Sequence, residues 1–394
     1  MFMKKKILFI TMFSPFPENY GGKIGTGERI KELSENFDVN LCFLMNKNDV
    51  FDRNTGDKYC YKSKGFIREK NYSKCLFYFY KPFGMISRIN KDMNIYIKET
   101  LNKEKIDIII LDTIYMQYSL NGLDLSKYKI FLCKDNIEFK LYKSIASQGN
   151  IFHRMIYSFE SKKIKPIEMN WFKSSLVNGF IFINNNELDY ICQEHDLRSK
   201  SIVIPPHYNT NIDKLNIDNL NIDILLVGNY AFAPNENGIM WFIEKCIPII
   251  IKNKPGIFIY IVGKSPTSKM FKAVSKFKNV VITGEVDSVG PYYNAAKVIG
   301  VPIFQGAGVK MKLLEAVAYK KPIVTTKGGI RNSFFENTCM KVTDDPFLFS
   351  DYCIELLEHI ENTMDDVNEL YKILIDNNDF DKQAKLYFNF ININ

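Results

Sequence analysis

The sequence predicts an α/β protein with two successive doubly wound domains, and three observations support this prediction. Short apolar runs typical of buried strands recur along the chain, and helical stretches separate them. The chain has 394 residues, which is more than one hydrophobic core usually organises. A polar segment at 205–221, PPHYNTNIDKLNIDNLN, interrupts the series and is typical of an interdomain linker.

Six apolar runs in the first half of the chain predict the strands of an N-terminal Rossmann-like domain. They lie at Ile7–Met12, Val39–Leu44, Ile106–Leu111, Ile130–Cys133, Phe180–Ile183 and Ile202–Ile204. Because the runs are apolar at almost every position, the strands are expected to form a parallel sheet that helices cover on both faces. We assign residues 1–205 to this domain and residues 206–221 to the linker.

The second half of the chain repeats the alternation of strands and helices. Strands are predicted at Ile224–Val227, Phe258–Val262, Val280–Ile282, Val298–Val301 and Pro322–Thr325, with helices at about 235–251, 268–276, 288–296 and 309–319. We assign residues 222–376 to a C-terminal Rossmann-like domain. Residues 377–394 are expected to form a helix that packs back on the N-terminal domain. Two such domains would face a central cleft, with ligands at the carboxyl ends of the strands.

Composition and charge limit the classes of function. The formal net charge is +8, which favours phosphates or an anionic membrane as partners. Nucleic acid is disfavoured because the sequence has no RNP-type motif, zinc finger or arginine-rich tract. The eight cysteines are scattered without a C-x-x-C pair, which predicts reduced thiols in the cytoplasm and no structural zinc. No apolar run is long enough to predict a transmembrane helix.

The most informative motif is the loop Gly306-Ala307-Gly308-Val309-Lys310, which precedes a predicted helix at Met311–Tyr319. Glycines let the backbone approach a ligand, a helix N-terminus attracts an anion, and Lys310 adds a positive charge. Glu315 lies about 7–8 Å further along the helix, where its carboxylate can accept hydrogen bonds from a ribose. The motif predicts a nucleotide diphosphate site, although a Gly-rich loop before a core helix has the same pattern.

The motif also carries a family resemblance. The run GAGVKMKLLEAVAYKKPIVTT resembles the C-terminal signature of GT-B fold glycosyltransferases of the family 4 type, the glycosyl transferases group 1. The stretches Leu225–Ile250, Ile259–Lys264 and Val280–Pro302 are similar to this family and occur in its order. Together they cover most of residues 222–330. The N-terminal half matches more loosely, through its first strand and the helix that contains Glu160 and Glu168.

The resemblance implies roles for individual residues. Glu315 resembles the glutamate that binds the donor ribose, and Lys310 resembles the residue that holds the diphosphate. Lys264 stands near the family's second basic phosphate ligand. The remaining positions are expected to line the donor through their backbone or loops: Gly21, Gly22, Gly228, Asn229, Gly263, Gly306, Ala307, Gly308 and Val309.

Two positions depart from the family pattern. Many members carry Glu-x7-Glu, and the first of these acids would fall at Ala307, so one carboxylate contact to the transferred sugar is missing. Many members also place a His after the strand that corresponds to Ile130–Cys133. Here Asp135 occupies that position, where it can contact a sugar hydroxyl or, alternatively, cap the helix predicted at 138–146.

A basic and aromatic segment suggests where an acceptor binds. From Lys58 to Lys105 the chain has 12 Lys and Arg against 4 Asp and Glu, and Lys74–Lys91 mixes cations with aromatic residues. This composition suits an anionic membrane surface or a lipid-linked acceptor, but it also fits aromatic residues packed in the domain beside solvated lysines. The basic residues of His153–Lys173 can extend the same face.

The resemblance therefore predicts a retaining, metal-independent glycosyltransferase that uses a UDP- or GDP-sugar as co-substrate and no other cofactor. Its expected acceptor is a surface glycan such as capsule or O-antigen, free or lipid-linked. Its expected location is the cytoplasm, with any membrane contact at the inner face. Two alternatives are an epimerase of the nucleotide-sugar 2-epimerase type and a catalytically silent nucleotide-sugar-binding partner.

Overall fold

A computed structural model describes residues 4–18, 21–68, 78–147, 151–208, 210, 220–305 and 310–394. The chain divides into two compact units, Met1–His207 with Asp379–Asn394, and Tyr208–Asn378. Each unit contains a parallel sheet, so the predicted fold class of two Rossmann-like α/β domains is confirmed. Most of the predicted linker, at 209 and 211–219, lies outside the described residues.

The first unit is built on a seven-stranded sheet with the order β3-β2-β1-β4-β5-β6-β7. Its strands, all parallel to their neighbours, are β1 Lys6–Thr11, β2 Asp38–Met45, β3 Lys62–Ile67, β4 Ile108–Leu111, β5 Lys129–Lys134, β6 Val177–Phe182 and β7 Ser201–Val203. Strand β3 is absent from the sequence prediction. It lies at the sheet edge, where partial exposure allows the polar pattern KSKGFI.

Helices cover both faces of this sheet. They are α1 Gly21–Ser34, α2 Arg53–Tyr59, α3 Phe83–Ile86, α4 Lys91–Lys103, α5 Glu138–Ala146, α6 Ile151–Lys173 and α7 Asn185–Cys192. Side chains of β1 alternate between two hydrophobic clusters, with Ile7 and Phe9 in one and Leu8 and Ile10 in the other. This alternation explains why the strand is apolar at successive positions.

The second unit is built on a six-stranded parallel sheet with the order β10-β9-β8-β11-β12-β13. Its strands are β8 Ile222–Val227, β9 Ile259–Val262, β10 Val280–Gly284, β11 Ala296–Val301, β12 Ile323–Thr325 and β13 Lys341–Val342. Its helices are α8 Ala233–Trp241, α9 Ile247–Asn253, α10 Ser268–Val274, α11 Gly290–Ala295, α12 Met311–Ala318, α13 Lys327–Ile330, α14 Pro346–Glu358 and α15 Met364–Asn377.

The single helix predicted at about 235–251 is interrupted in the structure. A π-helical turn at Phe242–Cys246 separates α8 from α9. Pro248 follows this turn, and proline has no backbone N–H to donate within a helix. Further along the chain, the side chain of Asp345 caps α14, and Pro346 occupies the first position of that helix.

The C-terminal helix, α16 Phe380–Ile393, belongs to the first unit. The side chain of Asp379 caps it by accepting a hydrogen bond from the N–H of Lys382 at 2.9 Å. Tyr387 and Ile391 are buried in the same cluster as Leu33 of α1. Throughout the described part of the chain, every helix is too short or too polar to cross a bilayer.

Candidate functional site

The loops that follow β8 and β9 pack directly on each other in the second unit. Gly263 has a φ of 139°, and a side chain added there would place Cβ 1.9 Å from the carbonyl oxygen of Gly228. The N–H of Gly228 donates to the carbonyl of Val262 at 3.0 Å. Only glycine at 263 permits this contact, which holds the two loops together at the carboxyl edge of the sheet.

Lys312 extends from the first turn of α12 to the first turn of α8, which follows the loop after β8. Its ammonium donates a hydrogen bond of 3.0 Å to Oδ1 of Asn235, whose amide donates at 2.8 Å to the carbonyl of Asn229. A Cβ on Gly228 would lie 3.2 Å from Nζ of Lys312. Burial lowers the pKa of Lys312 to about 8, and the charge of Glu315 partly opposes this effect.

Glu315 lies one helical turn beyond Lys312 and is buried. The hydroxyl of Tyr293, at the end of α11, donates to Oε2 of Glu315 at 2.9 Å. Burial raises the pKa of the Glu315 carboxyl, whereas the hydrogen bond from Tyr293 and the charge of Lys312 lower it. The ring of Tyr293 also stacks on Tyr319, with 5.0 Å between their centroids. These contacts fix the orientation of the carboxylate.

The cation and carboxylate of α12 therefore lie at the position where a doubly wound sheet binds ligands. Strand β9 lies on one side of β8 and β11 lies on the other, so β8 and β11 flank the point where the strand order reverses. Ligands of open parallel sheets bind outside the carboxyl ends of the strands at such a point. The first turn of α12 lies at this edge, and the N-terminus of a helix attracts an anion through its backbone N–H groups and its partial positive charge.

The structure does not bring every predicted donor residue to the site around Lys312 and Glu315. Gly306, Ala307, Gly308 and Val309 lie outside the described residues. Lys310 is the N-cap residue of α12 and is half-buried. Lys264 follows β9 as predicted, but its ammonium is largely exposed and pairs with Glu285 at 2.9 Å.

Asp135, the predicted sugar contact in the first unit, forms an ion pair with a buried arginine. Arg29 of α1 donates to Oδ1 of Asp135 at 2.8 Å and forms an ion pair with the buried Asp112, which follows β4. The hydroxyls of Thr11 and Thr26 donate to the second carboxylate oxygen of Asp112 at 2.8 and 3.0 Å. Asp135 remains half-exposed, so part of its carboxylate is accessible to a ligand.

The alternative role of Asp135 as a helix cap is not what the structure shows. The N-cap residue of α5 is Ile137, and its side chain makes no capping hydrogen bond. The carboxylate of Glu168 of α6 takes this role. It accepts hydrogen bonds from the backbone N–H of Glu138 at 3.1 Å and from that of Phe139 at 3.2 Å. Glu168 is fully buried and also pairs with Lys134 of β5.

A second buried carboxylate lies beside this ion pair. Oε2 of Glu138 accepts a hydrogen bond of 2.7 Å from the hydroxyl of Tyr115. Burial raises the pKa of Glu138 to about 7, with the positive charge of Lys134 acting in the opposite direction.

Two further predictions concern glycines and metals. Gly21 and Gly22 form the start of α1, and residues 19 and 20 before them lie outside the described residues.

Among the described side chains, Cys339, Asp366 and Glu369 are close enough to share a metal ion, with ligand atoms within 4.8 Å. All three are exposed, and no bound ion is needed to explain them.

Sequence reasoning missed Lys312, Tyr293, Asn235 and Arg29. A signal for Lys312 was present, because residues three apart on a helix share a face and Lys312 precedes Glu315 by three. Arg29 and Tyr293 have no comparable local signal. Their partners are 83 and 22 residues away along the chain, so only the folded structure brings them together.

A known protein family matches the part of the chain that contains this site. Residues 221–359 match the family model described as glycosyl transferases group 1, and this range includes Gly228, Gly263, Lys312 and Glu315. The chain contains a glycosyl transferases group 1 domain. The predicted resemblance is confirmed, and the protein is a glycosyltransferase of the GT-B fold type.

Similar proteins match this glycosyltransferase over almost the whole length of both chains. A Klebsiella pneumoniae protein, described as an uncharacterized 44.6 kDa protein in the cps region, is 24% identical over 96% of this chain and 97% of its own. The structure of WaaG, a glycosyltransferase involved in lipopolysaccharide biosynthesis, has a TM-score of 0.67 with 14% identity, over 98% and 99% of the two chains. HepE from Anabaena, in complex with UDP and glucose, also has a TM-score of 0.67, with 12% identity over 99% and 100%.

Proposed function

We propose that this glycosyltransferase transfers a sugar from a UDP- or GDP-sugar to a growing surface glycan, with retention of the anomeric configuration. The observation that carries the proposal is the position of α12, which brings Lys312 beside Gly228 and places Glu315 one turn further on. A cation followed by an oriented carboxylate matches the order of groups in a nucleoside diphosphate, with phosphates first and ribose next.

The leaving diphosphate gains negative charge as the bond to the sugar breaks. Lys312 and the N–H groups at the start of α12 would stabilise this charge, and Lys310 would add a second cation. Preorganised donors of this kind each contribute on the order of 10²–10³ in rate. These cations can fulfil the role that a divalent metal has in other transferases, so we propose a metal-independent reaction.

Glu315 would bind the ribose. Because the hydroxyl of Tyr293 donates to Oε2, the carboxylate has a fixed orientation, and its Oε1 would accept a hydrogen bond from a ribose hydroxyl. The complex of HepE with UDP and glucose supports a nucleotide-sugar donor, and UDP is our first candidate among the nucleotides.

Retention and the proton transfer follow from the resemblance to family 4-type enzymes. In the proposed route the acceptor hydroxyl attacks the anomeric carbon on the face that the diphosphate leaves. The acceptor oxygen forms the new bond, the diphosphate takes the bonding electrons, and one of its oxygens accepts the hydroxyl proton. The half-exposed carboxylate of Asp135 would contact a hydroxyl of the sugar.

The acceptor is proposed to be a polysaccharide or a lipid-linked precursor of one, bound by the first unit. The Klebsiella relative belongs to a cps region, and WaaG acts in lipopolysaccharide biosynthesis. The excess of basic residues between Lys58 and Lys105 supports an anionic acceptor and peripheral contact with an anionic membrane at its cytoplasmic face.

A thermal-shift screen of nucleoside diphosphates and nucleotide sugars tests the donor assignment, because a bound ligand raises the melting temperature according to its concentration relative to Kd. We expect UDP or GDP and one of their sugars to give the largest shifts. The absence of any shift at millimolar nucleotide would exclude the proposed donor.

Proton NMR of the reaction products, with the donor that the screen identifies, then distinguishes a transferase from an epimerase and from a silent binding partner. A retained anomeric configuration in a glycan product supports the proposal, whereas an inverted one contradicts it. Interconversion of the donor sugar without an acceptor would identify an epimerase. Donor binding without turnover, across a panel of glycan acceptors, would identify a silent binding partner.

A further inference from the structure

We propose that the first turns of α6 and the neighbouring turn at Tyr78–Lys81 form an insertion surface that enters the headgroup region of an anionic lipid bilayer. The inference deepens the membrane contact in the proposed function and rests on that part of it. It assigns the contact to particular side chains and is independent of the donor.

The start of α6 exposes an apolar stripe. Its five large side chains are between 54% and 74% exposed: Ile151, Phe152, Met155, Ile156 and Phe159. At 3.6 residues per turn these positions span about 140° of the helix circumference. The row that faces the core, Glu160, Ile164 and Glu168, lies on the other side of the helix. The exposed stripe is therefore a second apolar face, which the described part of the chain leaves uncovered.

A second segment extends this face. The aromatic side chains of Tyr78, Phe79, Tyr80 and Phe83 are between 40% and 68% exposed. Glu160 joins the two segments, because its Oε2 accepts a hydrogen bond of 2.7 Å from the N–H of Phe83. The ammonium of Lys163 completes the junction by donating to the carbonyl of Lys81 at 3.3 Å and pairing with Glu160. Apolar patches of this extent on a folded protein mark interaction sites.

The two segments that carry the surface are almost entirely positive in charge. The segments 78–88 and 140–165 contain eight basic residues: Lys81, Arg88, Lys140, Lys143, Arg154, Lys162, Lys163 and Lys165. Their single acid is Glu160, which Lys163 and the N–H of Phe83 already engage. Lys162 and Lys165 are exposed and follow the apolar stripe within two turns, so a cationic edge borders the apolar face.

An anionic bilayer fits this arrangement better than a second copy of the chain. A two-fold symmetric dimer would bring the same patch onto itself and oppose one set of cations to the other. Anionic lipids instead offer phosphates to the lysines and acyl chains to the apolar side chains. Interfacial helices combine these two contributions, an inserted apolar face and electrostatic attraction by basic residues.

Vesicle flotation with the full chain tests the proposal. We expect binding to phosphatidylcholine vesicles that contain phosphatidylglycerol, and much weaker binding to phosphatidylcholine alone. The variant Phe152→Ser/Met155→Ser/Phe159→Ser should lower the partition coefficient by roughly tenfold to a hundredfold, because it removes apolar area from the inserted face. As the three side chains are exposed, the variant should keep the melting temperature and the nucleotide-induced thermal shift of the parent.

A matched control removes exposed apolar side chains elsewhere. Phe271 and Phe347 of the second unit are 50% and 65% exposed, and Phe271→Ser/Phe347→Ser should leave vesicle binding unchanged. Insertion itself is tested with Phe152→Trp, whose added fluorescence should be quenched by brominated acyl chains. Failure to bind the anionic vesicles, equal binding by the triple variant, or no quenching would overturn the proposal. A concentration-dependent dimer that the triple variant abolishes would assign the surface to a second copy instead.

Nucleotide binding separates this inference from the donor assignment. A chain that binds UDP but no vesicles would contradict the insertion surface and leave the donor site standing. A chain that binds vesicles but no nucleotide would contradict the donor site alone.

Discussion

The hydroxyl of Tyr293 donates a hydrogen bond of 2.9 Å to Oε2 of Glu315, so one oxygen of the proposed ribose ligand is engaged within the protein. Both residues are buried, and the ring of Tyr293 is held by stacking on Tyr319. The carboxylate is therefore oriented before a nucleotide arrives, which reduces the entropy lost on binding.

Glu315→Ala should weaken nucleotide binding while the protein remains folded. A hydrogen bond to a charged group contributes roughly 1.5–3 kcal/mol, so the Kd for UDP should rise by roughly tenfold to a hundredfold. Isothermal titration calorimetry measures this change. The control is Glu358→Ala, which removes a largely exposed carboxylate that pairs with Lys254. An unchanged Kd in Glu315→Ala would remove Glu315 from the site.

Lys312→Met should reduce the affinity for nucleoside diphosphates by roughly tenfold or more, because it removes the buried cation beside Gly228. The surface substitution Lys272→Met serves as the control, since Lys272 is exposed on α10. If both variants bind UDP with the affinity of the parent, Lys312 does not contact the phosphates.

The pH dependence of UDP binding offers a separate test of Lys312. Burial lowers the pKa of its ammonium to about 8, so the free site loses its positive charge as the pH rises through this value. Binding must then take up a proton, and the affinity of the parent protein should fall between neutral and alkaline pH. Calorimetry in two buffers of different ionisation enthalpy detects the proton uptake, which Lys312→Met should abolish.

Lys312 also affects the stability of the unliganded protein. Its pKa is lower in the folded protein than its ordinary value of 10.5, so the unfolded chain holds the proton over the interval between them. The stability that this group contributes therefore rises with pH from about 8 towards 10.5. Urea denaturation of Lys312→Met should show a gain over the parent at neutral pH that disappears at alkaline pH.

Gly263→Ala should destabilise the second unit by more than about 2 kcal/mol, because both the positive φ and the close carbonyl of Gly228 oppose a side chain. Nucleotide binding should be lost with it. Gly256→Ala is the matched control, since a Cβ at Gly256 meets no atom within 4 Å. Urea midpoints that are equal for the two variants would show that the loop after β9 can rearrange.

Glu138→Gln should change how the stability of the first unit depends on pH. The folded pKa of Glu138 is about 7 and its ordinary value is 4.5, so the folded protein binds the proton more tightly. Protonated Glu138 therefore adds to the free energy of unfolding below pH 4.5, and this contribution is lost as the pH rises through 7. The whole contribution is about 3 kcal/mol.

The variant cannot bind this proton, so its stability relative to the parent should improve between pH 5 and pH 8. Urea denaturation at the two pH values measures the change, and the exposed substitution Glu99→Gln should leave it unaltered. Glu18 also has a pKa raised to about 7 by burial, so the variant retains part of the parent's pH dependence. Parallel curves for the parent and Glu138→Gln would contradict the raised pKa.

Local patterns in the sequence determined most of the architecture. Apolar runs located the central strands of both sheets, because a strand covered on both faces needs apolar side chains at successive positions. The same reasoning missed β3 and β13 at the sheet edges, where exposure or short length removes that signal. The helix that contains Glu315 was also predictable, since its start and its apolar face depend on residues close in sequence.

The tertiary structure alone decided which polar groups meet. Lys312 reaches Asn235 across 77 residues, and Arg29 reaches Asp135 across 106. These pairs follow from which strands are neighbours and which loops share the carboxyl edge, and no periodicity in the chain encodes that order. The sequence by itself determined the α/β fold and the candidate donor helix, because those depend on local burial. The packing of distant elements decided that Lys312 faces Gly228 and that Asp135 is paired with a buried arginine.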